Sequence, residues 1–353
     1  MTRDPTVSVI IPAYRAASLI AETLDSLTAQ IFDDFEVIVV DDCSPDATLA
    51  VVRAYGDPRV RVVRPERNGG CVHARNLAFS LARGRYIAGL DHDDLCHPDR
   101  FARQVAFLDS YPDVVLVGTG SKLFENGEKR AHDRANGMSS DLIDWMMLTR
   151  NPLVWSSVMF RADVARKLDP FERPDRHYLE DFDLYHRMRR YGRIAEIPDP
   201  LTLYRIVPGS MSQTGTQRML NGATMLLAER HADLLGLIDR RDTERVVRHV
   251  MGRQPVPDAA TLRRVFAMIE ALHRAHLDRH DPSEEARAEI ISDITQLWHR
   301  LTRAAVRSGT IPLRDALHAM PIGVPLQRER RRDLIVSGMI GAVRSARRSR
   351  NAA

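Results

Sequence analysis

Tyr86-Ile-Ala-Gly-Leu90 runs directly into Asp91-His92-Asp93-Asp94, so a short apolar run delivers three carboxylates where it ends. Five mostly apolar residues suit a buried parallel strand, and the acidic four then form the loop at its carboxyl end. Carboxylates packed into four positions repel one another unless a proton or a cation sits among them. A hard divalent ion with oxygen ligands, Mg²⁺ or Mn²⁺, satisfies them and keeps open positions for waters and for a substrate diphosphate. The same letters also suit a solvated acidic turn before a helix, with Pro98 in the first turn and Asp99 beside it.

On either side of this stretch, strand and helix patterns alternate with little chain between them. Val7-Ser-Val-Ile-Ile11 reads as a strand, and Ile20, Leu24, Leu27 and Ile31 then recur on one face of a helix. Phe35 to Val40 is the next strand, followed by a helix over roughly Ala47 to Tyr55. Val60 to Val63 is the third, and a helix from about Val72 to Arg83 leads into Tyr86. A helix near Arg100 to Ser110 precedes a strand at Val114 to Val117. The alternation predicts an α/β domain whose mainly parallel sheet carries helices on both faces.

Ligands of such sheets bind beyond the carboxyl ends of the strands. The loops there are Pro12-Ala13-Tyr14, Asp41-Asp42, Asn68-Gly69-Gly70 and the acidic loop, which places all four on one rim. A tyrosine offers a flat face for a base, a carboxylate accepts hydrogen bonds from base or ribose, and glycines admit close backbone approach. No glycine-rich phosphate cradle follows the first strand, and the only lysines are Lys122, Lys129 and Lys167. Gly118-Thr-Gly120 has leucine at 123 where a dinucleotide fingerprint needs its third glycine, which argues against a nicotinamide dehydrogenase.

The chain has 353 residues, 44% hydrophobic and 28% charged, the profile of a globular protein of two or so domains. Cys43, Cys71 and Cys96 form neither a disulfide framework nor a zinc ribbon, and no apolar leader or spanning run is visible; a cytoplasmic setting is expected. The formal charge of +4 is concentrated in Gln327 to Arg350, with eight arginines against Glu329 and Asp333. The remainder is slightly acidic, and no nucleic-acid footprint follows.

In these motifs the sequence strongly resembles the family 2 glycosyltransferases, inverting nucleotide-sugar enzymes of the GT-A fold. The resemblance runs from about Val7 to Ser212. It rests on Val-Ser-Val-Ile-Ile-Pro-Ala-Tyr14, Val39-Val-Asp-Asp-Cys-Ser-Pro-Asp46, Asn68-Gly-Gly with Ala74-Arg-Asn76, the DxD-like Asp91-His-Asp93, and Glu180-Asp181, in the family's order and spacing. It implies that Pro12, Ala13, Tyr14 and Asp42, with Asn68 and Gly70, hold the donor nucleotide. It further implies that Asp91 and Asp93 serve ribose and metal-diphosphate, with Asp94 supporting the loop, and that Asp181 is the catalytic base. Many relatives carry a histidine after the Tyr204-Arg205 pair where this chain has Val207, and Arg205 or Ser210 is expected to compensate in part.

Asn151 to Arg161 resembles the family's strand beneath the acceptor site. Trp155 there is either a sugar platform or core packing, and Glu180 is a second acceptor-side candidate. On residue chemistry alone, Glu180 and Asp181 also suit helix N-terminal charges. His73, His92 and His97 lie near the rim without an assigned role.

The expected division is a catalytic domain over 1–215, a helical region over 216–326 and a basic tail over 327–353, with helices over Met219–Leu235, Thr261–Leu277 and Glu284–Val306. In the tail, Leu334, Ile335, Met339, Ile340 and Val343 with flanking arginines suit a peripheral amphipathic helix on an anionic membrane or against a partner, or a solvated terminus. The expected function is metal-dependent transfer of a sugar from a UDP-type donor to a hydroxyl of a glycan or lipid-linked acceptor. The other readings are a silent nucleotide- or glycan-binding protein on the same fold, and a nucleotidyltransferase, which lacks its lysine and glycine-rich loop here.

Overall fold

The structure is a computed structural model and describes residues 4–125, 128–131, 137–176, 178–207, 216–320 and 328–352, with side chains to Arg344 in the last segment. His177, Ser210 and Gln327 lie outside the described residues. The chain divides into two compact units, residues 1–143 with 152–215, and residues 144–151 with 216–353.

The first unit is built on a nine-stranded sheet ordered β3-β2-β1-β4-β8-β6-β9-β5, with β7 (Glu128–Ala131) paired to β6. One half is parallel: β1 (Val7–Ala13), β2 (Phe35–Asp41), β3 (Val60–Val63) and β4 (Tyr86–Gly89). Every residue of β1, β2 and β4 is buried, as a parallel sheet covered on both faces requires, whereas β3 at the edge is half-buried. The register sets Ala13 beside Asp41 and Ile10 beside Gly89, so the loops after β1, β2 and β4 open on one rim.

The other half is mixed. Strand β8 (Met159–Arg161) runs antiparallel to β4 and to β6 (Val114–Glu125), while β9 (Arg193–Arg205) is parallel to β6. Strand β5 (Leu95–Cys96) is two residues long and pairs with β9. The strand expected at Val114–Val117 is therefore much longer, because its far half pairs with β9 and β7 rather than ending at a helix.

Helix α1 (Ile20–Thr28) buries Ile20, Leu24 and Leu27 but ends before Ile31, which is 67% exposed. The helical spacing of Ile31 is a coincidence of the period, since the chain has already left the helix there. Helices α2 (Thr48–Ala54), α3 (Gly70–Leu81) and α4 (Arg100–Ser110) follow the strands. Arg100 on α4 is fully buried and donates to the carbonyls of Gly89 at 3.0 Å and Val158 at 3.1 Å, tying the end of β4 to the start of β8. Helices α5 (Ser140–Met146), α6 (Ala162–Ala165) and α7 (Glu180–Met188) complete the series.

The second unit is helical, with helices over Thr216–Leu235, Arg240–Val246, Ala259–His280, Glu284–Ser308, Leu313–Leu317 and Arg328–Ala352. Side chains of Asp258 and Ser283 cap two of them by accepting the amides of Thr261 and Ala286, and Gly309 ends the second in the left-handed region. Segment 144–151 belongs to this unit. Trp145, fully buried, donates its indole N–H to Asp293 Oδ2 at 3.0 Å, and Arg150 pairs with the same carboxylate.

The tail, expected over residues 327–353, is a helix over Arg328–Ala352 that belongs to the second unit. Leu334, Ser337 and Gly341 face inward, and a Cβ at Gly341 would lie 2.0 Å from the Val306 carbonyl oxygen. Arg344 donates to the Arg307 carbonyl, and Asp333 takes Arg303 at 2.6 Å. Leu334 thus leaves the expected outward face. The exposed apolar stripe is Ile335, Val336, Met339 and Val343, each 46–59% exposed.

His231 shows how tightly this unit is specified. A carbonyl can only accept, so Nε2 donates to Leu148 at 2.7 Å, which leaves Nδ1 to accept from the Thr243 hydroxyl at 2.9 Å. A neutral imidazole satisfies both contacts, and burial lowers its pKa from 6.5 to about 4. The unfolded chain therefore binds a proton between these values that the folded one refuses. Stability should fall as pH drops from 6.5 towards 4, by on the order of 3 kcal/mol from this group. Denaturant unfolding at pH 7 and pH 4.5 should show a smaller loss in His231→Asn than in the wild type; parallel losses would exclude His231 as the source.

Candidate active site

The first two rim loops are fastened to each other. Asp42 donates its amide to the Ala13 carbonyl at 2.9 Å, and the amides of Arg15, Ala16 and Ala17 reach Ser44, Thr48 and Asp46. Pro12 and Ala13 are buried, while the Tyr14 ring is 41% exposed at the rim with the Arg15 guanidinium 5.3 Å from its centre. Arg15 itself adopts φ 53°.

Asp42 is 3% exposed and accepts the amides of Gly69 at 2.9 Å and Gly70 at 2.7 Å, while Asn68 donates to its carbonyl at 2.7 Å. A carboxylate at the amino end of α3 is favourably placed. Gly70 turns the chain into that helix at φ 80°, where a side chain would be strained. Asp42, Asn68 and Gly70 are therefore brought together, with Asp42 organising the glycine loop from below.

In the acidic loop, Asp91 is half-buried, and its carboxylate meets Arg75 at 2.8 Å while its amide donates to Ser156 Oγ at 3.0 Å. Burial pushes the Asp93 carboxyl up, with Asp91 adding to the shift against His92. Asp94, fully buried, is pushed well up by burial and then by Asp93 and Asp91, and it accepts the Arg205 amide at 2.7 Å. His92 is not a free loop histidine: its Nδ1 donates to the Pro12 carbonyl at 3.1 Å, which ties the acidic loop to the first rim loop.

These donors suit a hard divalent cation. They are all oxygens, they crowd like charge, and Asp94 Oδ2 is buried without a hydrogen-bond partner. Among the described residues no three His, Cys, Asp or Glu side chains converge as a ligand set. A cation here would be held by one or two protein carboxylates, with substrate oxygens completing its shell.

Arg205, expected to stand in partly for the family's histidine on the donor side, is turned onto this loop. Its Nε donates to the Asp93 carbonyl at 2.7 Å, its guanidinium pairs with Glu22, and it lies 4.7 Å from the Phe124 ring centre. It braces the backbone that carries Asp93.

Helix α7 opens with the acidic pair. Asp181 is half-buried, and its Oδ1 accepts the Phe182 amide at 2.7 Å. Glu180 faces the other way. It is 6% exposed and lies 3.7 Å from Arg75, so burial against a cation removes it from the acceptor-side role expected of it. Of the two readings of Trp155, the burial agrees with core packing. It is 4% exposed, has the Arg75 guanidinium 4.1 Å from its ring centre, and would clash at 2.7 Å with a Cβ at Gly89. Packing occupies its ring, leaving no open face for a sugar.

Two residues joined to the site had no role in the sequence reading. Arg75 shares the buried face of α3 with Val72 and Ala78, and an arginine on an apolar helical face was the available signal. Glu172, fully buried, meets Arg75 at 3.4 Å and carries no local signature. Burial pushes its carboxyl well up, Arg75 opposing.

An α/β sheet whose rim combines an exposed tyrosine, a carboxylate-organised glycine loop and a cation-seeking acidic loop defines a nucleotide-using class of protein. Residues 8–169 match the model of glycosyl transferase family 2. EpsE of Bacillus subtilis, whose glycosyltransferase designation is provisional, is 32% identical over 54% of this chain and 69% of its own length. The succinoglycan biosynthesis protein ExoO of Rhizobium meliloti is 36% identical over 45% of this chain and 44% of its own length. The chain spans 23% of another relative, y4gI of Sinorhizobium fredii. In fold, the chain is similar to residues 1–349 of TarS from S. aureus, crystallised with UDP-GlcNAc, with a TM-score of 0.54 at 20% identity over 98% of this chain and 92% of that one. The chain belongs to glycosyl transferase family 2, and its first unit has the GT-A fold.

Since the Asp93 carboxyl is raised, its ionised form is disfavoured in the folded state, and Asp93→Ala should hold or raise the melting temperature at pH 7. Mn²⁺ should stabilise the wild type more than this variant. A marked fall in melting temperature would make Asp93 a structural support of its loop.

Proposed function

We propose that this protein is an inverting, divalent-metal-dependent glycosyltransferase that moves a sugar from a UDP-linked donor to a hydroxyl of a glycan or lipid-linked acceptor. The observation that carries the reading is the single rim shared by Tyr14, the Asp42-held glycine loop and the acidic loop. Tyr14 offers its exposed face to the base, and Asp91 serves the ribose. Asp93 would hold a Mg²⁺ or Mn²⁺ ion, which supplies charge neutralisation for the diphosphate when bound. Asp181 accepts the proton of the acceptor hydroxyl as that oxygen attacks the anomeric carbon from the face opposite the leaving diphosphate. Support for a UDP donor comes from the nucleotide sugar seen with TarS, and support for a polysaccharide product from the name of ExoO.

Asp181→Asn should keep UDP affinity near wild type while cutting turnover by ~10²–10⁴-fold, the usual worth of a positioned general base. Calorimetry with UDP and Mn²⁺, paired with turnover of a nucleotide-sugar panel, separates the two. Equal loss of both would make Asp181 a donor contact or a structural residue. Intact UDP binding by a wild type that turns over no nucleotide sugar would favour the silent binding protein.

The partner at the tail, in this reading, is an anionic membrane surface. No helix among the described residues is long and apolar enough to cross a membrane. Arg328, Arg331 and Arg332 stand exposed at the amino end of the last helix, where its dipole disfavours cations, so an outside anion would be favourable there. The outward stripe Ile335, Val336, Met339 and Val343 adds shallow insertion, and each arginine near the surface contributes about 1 kcal/mol. The full chain should sediment with phosphatidylserine vesicles at low salt and be released by salt. Ile335→Ser/Met339→Ser, which leaves the buried side of the helix intact, should weaken sedimentation; absence of binding by the wild type rejects the membrane surface.

A further inference from the structure

Arg75 is 4% exposed, and its guanidinium is shared among elements far apart in sequence. Nη2 donates to Asp91 Oδ1 of the acidic loop at 2.8 Å, while Nη1 lies 3.4 Å from Glu172 Oε1 and 3.7 Å from Glu180 Oε1 at the start of α7. The Glu172 segment is fastened to the same helix by its backbone. Asn76 donates to the Glu172 carbonyl and accepts the Glu172 amide, both at 2.8 Å.

Three carboxylates about one buried guanidinium are a costly arrangement, and an apolar packing of similar volume is often at least as stable. Stability alone therefore does not account for it. The distances are graded, with Asp91 held closest and Glu180 furthest. A guanidinium has a fixed fork of donors and cannot face all three carboxylates equally, so a change in its hold on Asp91 alters its hold on Glu180. Glu180 precedes Asp181 in the first turn of α7.

We propose that Arg75 is a positioning residue that couples the donor loop to the amino end of α7, so that the state of Asp91 sets the order of the Glu180-Asp181 turn. Whatever draws the Asp91 carboxylate towards the donor side frees the guanidinium to close on Glu180 and firms the turn that carries Asp181. Donor occupancy would then precede the setting of the base. The catalytic consequence rests on the glycosyltransferase reading, but the coupling itself does not.

Amide hydrogen exchange of the ligand-free chain tests the coupling directly. Asp91→Asn should slow exchange in the peptide covering residues 179–184 by about fivefold, a modest coupling energy. Arg75→Met alone strands buried carboxylates and risks misfolding, so the reference background is Arg75→Met/Glu172→Gln, checked by circular dichroism. In that background Asp91→Asn should leave exchange at 179–184 unchanged. No effect of Asp91→Asn in the wild type, or the same effect without Arg75, overturns the proposal.

A kinetic arm uses whichever nucleotide sugar the wild type turns over. Arg75→Lys keeps the charge but replaces the fork with a single ammonium, and it should lower kcat by ~10-fold or more while the donor KM moves less than about threefold. A rise in KM at constant kcat makes Arg75 a donor contact and overturns the positioning role. Should the wild type turn over no nucleotide sugar, the glycosyltransferase reading fails and the exchange measurement still decides the coupling.

Discussion

The first unit is governed by a problem of charge at the end of a buried strand. All four residues of β4 are buried, and the chain then presents Asp91, Asp93 and Asp94 within four positions. Placing carboxylates against a low-dielectric core is unfavourable unless counter-charge or donors are supplied. Much of the surrounding architecture supplies them. Arg75 reaches Asp91 from α3 and the amide of Arg205 reaches Asp94 from β9, while Ser156 Oγ accepts the Asp91 backbone amide and holds the loop in place. Arg100 locks the carbonyls at the end of β4 to β8. Asp93 receives less of this help, and burial pushes its carboxyl up.

The two halves of the sheet divide the chemistry. The parallel half offers loop ends in register, and its carboxylate Asp42 is committed to shaping the glycine turn rather than left free. The mixed half, with β8 antiparallel between β4 and β6, carries the segments that hold Trp155, Glu172 and α7. Arg75 stands between them, a side chain of the parallel half that meets Asp91 in its own half and Glu172 and Glu180 in the other, so that the two are related by packing rather than by sequence proximity.

Legibility in the sequence followed the range of each interaction. Strands β1 to β4 and the helices between them were readable because apolar periodicity is local, and the rim loops followed from the rule that ligands sit beyond strand carboxyl ends. Strand β9 was not, since Pro198 and Pro200 break its pattern and its partner β6 lies some eighty residues upstream, as Thr119 beside Thr202 illustrates at a separation of 83. The same holds for the Arg75-Glu172 pair, 97 residues apart. Trp155 and Glu180 were recognised as residues of the site region, but only tertiary packing shows that both face inward against one guanidinium. In the tail, periodicity gave the helix, whereas the facing of Leu334 depended on how Gly341 admits the Val306 backbone.

Segment 144–151 has a consequence for anyone cutting the gene. Its eight residues are carried within the stretch that encodes the catalytic sheet, yet Trp145 and Arg150 find Asp293, and the Leu148 carbonyl finds His231, in the helical unit. A fragment ending at residue 215 would leave a tryptophan, a cation and a carbonyl stripped of their partners. A fragment beginning at residue 216 would leave the imidazole of His231 and the carboxylate of Asp293 facing a gap. Neither cut at the 215/216 boundary leaves a unit with all of its partners, and separating the two by engineering calls for transplanting residues 144–151 onto the helical unit, or repacking the sites they leave, rather than for a stop codon.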